Sequence, residues 1–334
     1  MTEGLTLITC TGGRPEAFSR CYQYVSRQTY WGPMQWIVVD DFDGEPSLRA
    51  DAGPKNCATV TRIFPAPKWK PGENTLARNL LAAISEVMYD KVAFIEDDDW
   101  YHPDHAAVLA ARLQLWDIVG DSEAFYYHIP SRRYRVLPTL AHSSLCQTGI
   151  RSTLLGELAN VCCNSSKTFI DVRLWERRMS HPWSLKNTGT CVGIKGLPGR
   201  SGIGVGHRPE ASPGVWQSDQ DLSVLRSRIG DDVTLYEGFM DSEEKPVTED
   251  GYEIFYWKGQ KRYRCPLRWE SGARCEYDTY NLEYMREHVA GPHTYSGKAP
   301  AVRRSVSPVL DSEGRQIVKE TAVPSEFERL HFRK

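Results

Sequence analysis

The chain has 334 residues, 40% of them hydrophobic, with 41 basic and 43 acidic side chains and a formal net charge of −2. That length buries a large core and accommodates more than one folded unit. No apolar stretch approaches membrane-spanning length, and Met1-Thr2-Glu3-Gly4 lacks the basic, apolar start of a secretory signal, so a cytoplasmic protein with no membrane partner is expected. Nine cysteines, an odd number scattered along the chain, fit reduced thiols better than a disulfide framework.

Leu5–Cys10 reads as a first strand, followed by a Gly12-Gly13-Arg14-Pro15 turn and a helix through Phe18, Tyr22 and Val25. A second strand, Trp36–Val39, stops at Asp40-Asp41-Phe42-Asp43, and a third covers Thr59–Phe64. From Asn74 a helix is expected, with Leu76, Leu80, Ile84, Val87 and Met88 at helical spacing. Next comes the short apolar run Val92-Ala93-Phe94-Ile95, which ends in Glu96-Asp97-Asp98-Asp99. Such a run reads as a buried central strand of a parallel sheet, with its acids at the carboxyl end, where open α/β sheets bind ligands. Adjacent carboxylates repel one another and destabilise the fold unless something positive offsets them. A divalent cation with oxygen ligands, Mn or Mg, does so; a solvated acidic turn is the plainer alternative. A helix start follows at His102-Pro103-Asp104-His105. This order of elements predicts an α/β fold built on a doubly wound, mainly parallel sheet.

The middle of the chain is less regular. Ala124–His128 and Tyr134–Leu137 read as a hairpin, and Phe169–Met179 as a strand running into a helix. The stretch from Lys195 to Arg208 carries five glycines, which let backbone amides approach a ligand, while Lys195, Arg200, His207 and Arg208 add charge or metal-binding capacity. It reads equally as a phosphate or acceptor loop and as a surface loop without chemistry. Trp216-Gln217-Ser218-Asp219-Gln220-Asp221 leads into an amphipathic helix through Leu222 and Leu225, where an acid serves as a helix cap, as a reactive carboxylate, or as both.

The segment Phe94–His105 resembles the strand, acidic motif and following helix of nucleotide-sugar glycosyltransferases with the GT-A fold, whose acidic motif holds a metal against the donor diphosphate. In their most populous inverting family the motif is Asp-x-Asp. Laid on this chain its first Asp falls on Glu96 and its second on Asp98, so Asp98 is the leading metal ligand, with Glu96 and Asp97 as further contributors and His207 as a third-ligand candidate. The resemblance covers about two thirds of the chain, approximately residues 1–250. It implies that Thr9, Thr11 and Arg14 meet the nucleotide, that Asp40 and Asp41 contact base or ribose, and that Arg78 and Asn79 belong to a helix start closing over it. Lys195 and Arg200 join the donor site. At the place of a Glu-Asp pair whose Asp is the general base, this chain has Ser218 and Asp219, so Asp219 is the base candidate and Asp221 the second choice.

After Gly251 a basic, aromatic hairpin-like pair is followed by Cys265, Cys275, His288 and His293, a spacing of Cys-x9-Cys-x12-His-x4-His. The last two intervals are those of a ββα zinc finger, which requires both imidazoles on one helix face; the nine-residue first interval is far longer than the usual two to four. A zinc-finger-like module at 251–297 holding structural Zn is therefore expected, with an extended or disordered tail at 298–334. Lys258, Lys261, Arg262, Arg264, Arg268 and Arg274 make its first half basic, which points to a polyanion, nucleic acid foremost. A glycosyltransferase joined to a nucleic-acid module resembles the phage-encoded DNA glycosyltransferases. That implies sugar transfer to a hydroxymethylated pyrimidine in DNA, within the host cytoplasm if the chain is phage-encoded. Protein or polysaccharide acceptors, a sugar-phosphate nucleotidyltransferase, and a non-enzymatic nucleic-acid-binding protein are the alternatives.

Overall fold

The computed structural model describes residues 1–48, 53–70, 73–164, 169–200, 216–240, 248–249, 252–257, 260–265, 278–279, 282–290, 309–310 and 316–317. The chain divides into two compact units, Met1–Arg264 and Cys265–Lys334.

In chain order the first unit begins with β1 (Thr2–Thr11), α1 (Pro15–Ser26), β2 (Met34–Asp40), β3 (Thr59–Ile63), α2 (Leu76–Ile84) and β4 (Tyr89–Phe94). It continues with β5 (Trp100–Tyr101), α3 (His105–Arg112), β6 (Ile118–Gly120), β7 (Glu123–His128), β8 (Arg133–Pro138) and β9 (Gly149–Arg151). Then come α4 (Leu155–Asn164), α5 (Ile170–Glu176), β10 (Trp183–Leu185), β11 (Cys191–Lys195), β12 (Gln217–Ser218) and α6 (Ser223–Ile229). Seven strands form the main sheet in the order β10-β6-β9-β4-β1-β2-β3. β1 lies between β2 and β4 and runs parallel to both, and β3 extends the parallel set. β9 runs antiparallel between β4 and β6, and β10 is parallel to β6. The fold is thus the mixed α/β, parallel-rich class expected.

Alternation along the strands explains the two layers of core. On β2, Met34, Trp36 and Val38 face one apolar cluster with α1 (Phe18, Cys21, Tyr24) and α3 (Ala106, Leu109). Ile37 and Val39 face the other, with α2 (Leu80, Ala83), α4 (Leu158, Val161) and α5 (Leu174, Trp175). Both faces of the central strands are covered, so they read as continuous apolar runs rather than alternating ones. A second sheet, β12-β8-β7-β11-β5, includes the expected hairpin as β7 and β8.

Two expectations are corrected. α2 stops at Ile84, and Val87 and Met88 lie in the turn into β4, where the Met88 amide donates to Gln35 Oε1 over 3.0 Å. Residues 169–179 hold no strand: Ile170, Leu174 and Trp175 share one buried helical face, and Phe169 precedes α5 in the left-handed region at φ 60°. Toward the end of the first unit, β13 (Thr248–Glu249), β14 (Tyr252–Trp257) and β15 (Gln260–Arg264) pair antiparallel, with Glu253 opposite Arg264 and Trp257 opposite Gln260. In the second unit Cys265 is buried, and α7 (Leu282–Ala290) carries His288 and the buried Met285. His207, Cys275, His293 and most of the tail at 298–334 lie outside the described residues. No helix among the described residues is long and apolar enough to cross a membrane.

Candidate active site

The carboxyl ends of β1, β2 and β4 converge on one group of charges. The β1–α1 turn needs glycine twice: Gly13 has φ +68°, and a Cβ at Gly12 would come within 2.4 Å of Asp41 Oδ1. Pro15 then opens α1, so Arg14 is fixed immediately before the helix and under the end of β4. Its Nη2 lies 2.6 Å from Asp97 Oδ1, and its Nη1 donates to Asp98 Oδ2 over 3.1 Å. Thr11 Oγ1 donates to the other Asp97 oxygen over 2.6 Å. Asp99 Oδ1 accepts from the Ile194 amide and from Lys195 Nζ, both over 2.9 Å, and the same Nζ is 4.0 Å from Asp98 Oδ2.

Four consecutive carboxylates thus meet two side-chain cations, Arg14 and Lys195. Burial pushes the Asp97 carboxyl up to about 6 against the pull of Arg14. Burial raises Glu96 well above its usual range, with Asp99 adding to it, and raises Asp99 against the pull of Lys195. Burial works to lower Arg14 and Lys195, yet the acids hold both above their usual values. The cluster is under-compensated as it stands. Asp97 is engaged by Arg14 and Thr11, Asp98 by Arg14, and Asp99 by Lys195, while Glu96 is half-buried beside them; Glu96 and Asp98 are the carboxylates that could hold a divalent ion. Hard carboxylate oxygens and this charge deficit fit Mn or Mg.

A second knot lies beside the first. Asp41, with no exposure, accepts from Arg200 Nη1 (2.7 Å), Arg78 Nη2 (3.0 Å), Asn79 Nδ2 (2.9 Å) and Thr75 Oγ1. Arg200 Nη2 also donates to Thr75 Oγ1 over 2.7 Å, and its guanidinium lies 4.5 Å from the centre of the Trp69 ring. The structure therefore gathers Asp41, Arg78, Asn79 and Arg200, as the sequence grouped them, but through their own contacts. Asp40 holds the following loop, accepting from the Phe42 amide (3.1 Å) and the Ser47 amide (2.7 Å). Thr9 is a core residue with no exposure, and its Oγ1 accepts from the Trp36 indole over 2.9 Å.

Asp219 is 3% exposed. Its two oxygens accept from the Val224 amide (3.0 Å) and the Leu225 amide (2.9 Å), anchoring the first turn of α6. Asp221 is exposed and accepts from the Ser223 amide over 3.2 Å, a bond that with the Ser223 hydroxyl holds its carboxyl below the usual range. The capping reading is correct for both; no contact joins either to the acidic cluster among the described residues.

Sequence reasoning missed Asp99 as the partner of Lys195, Thr75 as an Asp41 ligand, and the Asp99–Cys146–Cys191 group, whose ligand atoms all lie within 4.8 Å of one another. The signal for Asp99 was present in the fourth acid; the two cysteines are far apart in sequence and carried none. That buried trio does not suit a second metal, because Lys195 already occupies Asp99 and burial pushes the Cys191 thiol up to about 11.

No protein-family model matches the sequence, and no curated protein matches it. Among solved structures, S. aureus TarS residues 1–349 with UDP is similar at a TM-score of 0.44 and 12% identity, over 58% of this chain and 60% of that one. The same protein with UDP-GlcNAc gives 0.41 and 14%, over 60% of each chain. The mannosyltransferase PcManGT from Pyrobaculum calidifontis, with GDP-Man and Mn2+, gives 0.39 and 14%, over 59% of this chain and 58% of that one. The chain spans 60% or less of each of these structures' lengths, and likeness at this level assigns this chain neither an activity nor a residue role.

Proposed function

We propose that the chain is a metal-dependent glycosyltransferase that moves a sugar from a nucleoside-diphosphate donor to an acceptor hydroxyl by direct displacement, with inversion. One observation carries this reading: at the carboxyl end of the central strands, half-buried Arg14 and buried Lys195 face four carboxylates with too little positive charge to balance them. Such a site suits a diphosphate arriving with a divalent ion. Arg14, Lys195 and Arg200 hold the phosphate oxygens, while Glu96 and Asp98 hold the ion. When bound, the ion screens the charge that grows on the diphosphate as its bond to the anomeric carbon breaks. The acceptor oxygen bonds to that carbon, its proton passes to Asp219, or to Asp221 in its place, and the nucleoside diphosphate leaves.

The acceptor in this reading is a hydroxymethylated pyrimidine in DNA. Its support is the basic run from Lys258 to Arg274 and the Cys-x9-Cys-x12-His-x4-His spacing, from which we infer a second module that would hold structural Zn on Cys265, Cys275, His288 and His293. Calorimetry with UDP-GlcNAc and GDP-Man, with and without Mn, tests the donor half. Asp98→Ala abolishes Mn-dependent donor binding, whereas Asp219→Asn retains it and loses transfer; full turnover by Asp219→Asn removes that residue as base. Labelled sugar offered to hydroxymethylcytosine DNA, hydroxymethyluracil DNA, unmodified DNA and protein tests the acceptor, and transfer to protein alone ends the DNA reading.

A further inference from the structure

The strands of the main sheet share a direction that sorts their ends. β1, β2, β3 and β4 run parallel, and β9 is antiparallel to both β4 and β6, so β6 runs with β4 and β10 with β6. The acids of the candidate site follow β2 and β4 at the carboxyl end. The opposite end collects the starts of β1, β2, β4, β6 and β10, and there apolar side chains stand in water. Trp31, Met88, Leu115, Trp116, Met179 and Trp183 each lie within four residues of one of these starts, and they are six of the twelve exposed large hydrophobic side chains among the described residues. Trp31 is 95% exposed, Met179 77% and Leu115 76%, and the other three lie between 37% and 47%. A single exposed apolar side chain is ordinary, but half of them at one end of one sheet is not a scatter.

Backbone and side-chain bonds join the segments that carry them. The Leu5 amide donates to the Pro33 carbonyl over 3.0 Å, which ties the Trp31 turn to β1. Gln114 Nε2 donates to Glu3 Oε1 over 3.4 Å, tying the Leu115 turn to the same strand, and the Asp117 amide donates to the Pro182 carbonyl over 2.8 Å between the segments of Trp116 and Trp183. The partly buried charges here close on one another: Asp90 takes Lys91 at 3.1 Å and Arg151 at 3.0 Å, and Asp117 has His181 at 3.8 Å. Arg178 lies over the Trp183 ring, 5.5 Å from its centre. No cluster of unmatched basic side chains is present among the described residues of this end, so a polyanion or an acidic lipid surface finds nothing to hold it. Scaled by their exposure, six side chains of roughly 200 Å² each leave roughly 700 Å² of apolar surface in water. Monomeric proteins rarely leave more than a few hundred Å² together, and a standard interface takes about 800 Å² from each partner.

We propose that two copies of the chain associate through this end of the main sheet, with the two candidate active sites turned away from each other. Interfaces between copies are more apolar at their centre and poorer in charge than those with transient partners, which is the composition found here. A two-fold axis sets the same end against itself, and because its partly buried acids already have their cations, no like charges are forced together. The proposal is independent of the transferase reading, since it uses only the end of the sheet remote from the acids.

The test is sedimentation equilibrium on the full chain under reducing conditions, so that the exposed Cys163 cannot link copies by a disulfide. At about 50 µM the wild type sediments at twice the 38.0 kDa chain mass and dissociates on dilution. Salt at about 1 M leaves the dimer in place, because apolar burial is not screened. Trp31→Ser/Leu115→Ser and Trp116→Ser/Trp183→Ser each weaken association at least tenfold, whereas Phe64→Ser, an equally exposed side chain beyond the other end of β3, leaves it unchanged. Thermal melts of the four proteins at a concentration where all are monomeric separate lost association from lost fold. A wild type that stays monomeric at every concentration overturns the proposal, as does a dimer that both double variants keep at full strength. Co-sedimentation of a monomeric wild type with phosphatidylcholine vesicles, lost in the same variants, assigns the surface to lipid and overturns it too.

Discussion

Asp99 and Lys195 form an ion pair that water scarcely reaches, with the carboxylate at 0% exposure and the lysine at 8%. Removing one partner of a buried pair leaves the other charge without compensation, typically at a cost of about 3–5 kcal/mol. Asp99→Asn alone is expected to lower unfolding free energy by roughly 3 kcal/mol, and Asp99→Asn with Lys195→Met to recover part of that loss. Denaturant melts of the two variants and of Lys195→Met close the cycle; additive losses would show that the pair is not coupled. The acid run itself was legible, because four carboxylates after an apolar strand are visible in one dimension. Which acid serves which cation was not, since Arg14 and Lys195 are separated from the run by about eighty and about one hundred residues and the sequence sets no distance between them.

At the level of the element, α5 begins from Phe169, which is 72% exposed and held at φ 60°. A side chain there costs about 1–2 kcal/mol and this one recovers little by burial. Phe169→Gly is expected to raise stability by about 1 kcal/mol, or a few degrees in Tm, read by calorimetric melting. Asp121, at the end of β6, ties three segments together. It accepts from Thr188 Oγ1 at 2.8 and 3.0 Å and from Gln147 Nε2 at 3.4 Å, and lies 3.7 Å from Arg112 Nη1. Burial pushes its carboxyl up to about 6, so the folded state keeps a proton that the unfolded state releases near 3.9. The stability this lends is complete below pH 4 and is lost as pH rises through 6. Asp121→Asn should remove that slope, by roughly 3 kcal/mol between the two limits, in denaturant midpoints measured across this range. Strands and helices of the main sheet were readable because both faces of each central strand are apolar. The helix over 170–176 was expected, but its start was misread as a strand because Phe169 and Ile170 together imitate one, and only the burial of Leu174 and Trp175 on one side identifies the period.

The two compact units of the whole molecule differ in how they are held. The first has two apolar clusters on either side of a seven-stranded sheet, whereas the segment that follows Cys265 is small for an independent core, and segments of that size usually require a metal or disulfide. One zinc per chain is therefore expected by elemental analysis, absent in both Cys265→Ser and His293→Ala, each of which also unfolds α7. A zinc-free preparation with an unchanged helical signal contradicts the site. The compact units divide between Arg264 and Cys265, whereas the change in composition at Gly251 suggests an earlier boundary that places the hairpin of β14 and β15 in the module.

Arg14 touches two carboxylates at once, and those same carboxylates border the oxygens offered to a cation. In the proposed mechanism, an ion entering at Glu96 and Asp98 would take over part of the compensation that Arg14 and Lys195 provide, freeing their donors to turn toward phosphate. Metal and donor would then assist each other, each tightening the other's binding by the same factor through the reciprocity of linked equilibria. The acid cluster in this sense keeps its cations in reserve: without metal, the arginine and lysine that would grip a diphosphate are already engaged by their own chain.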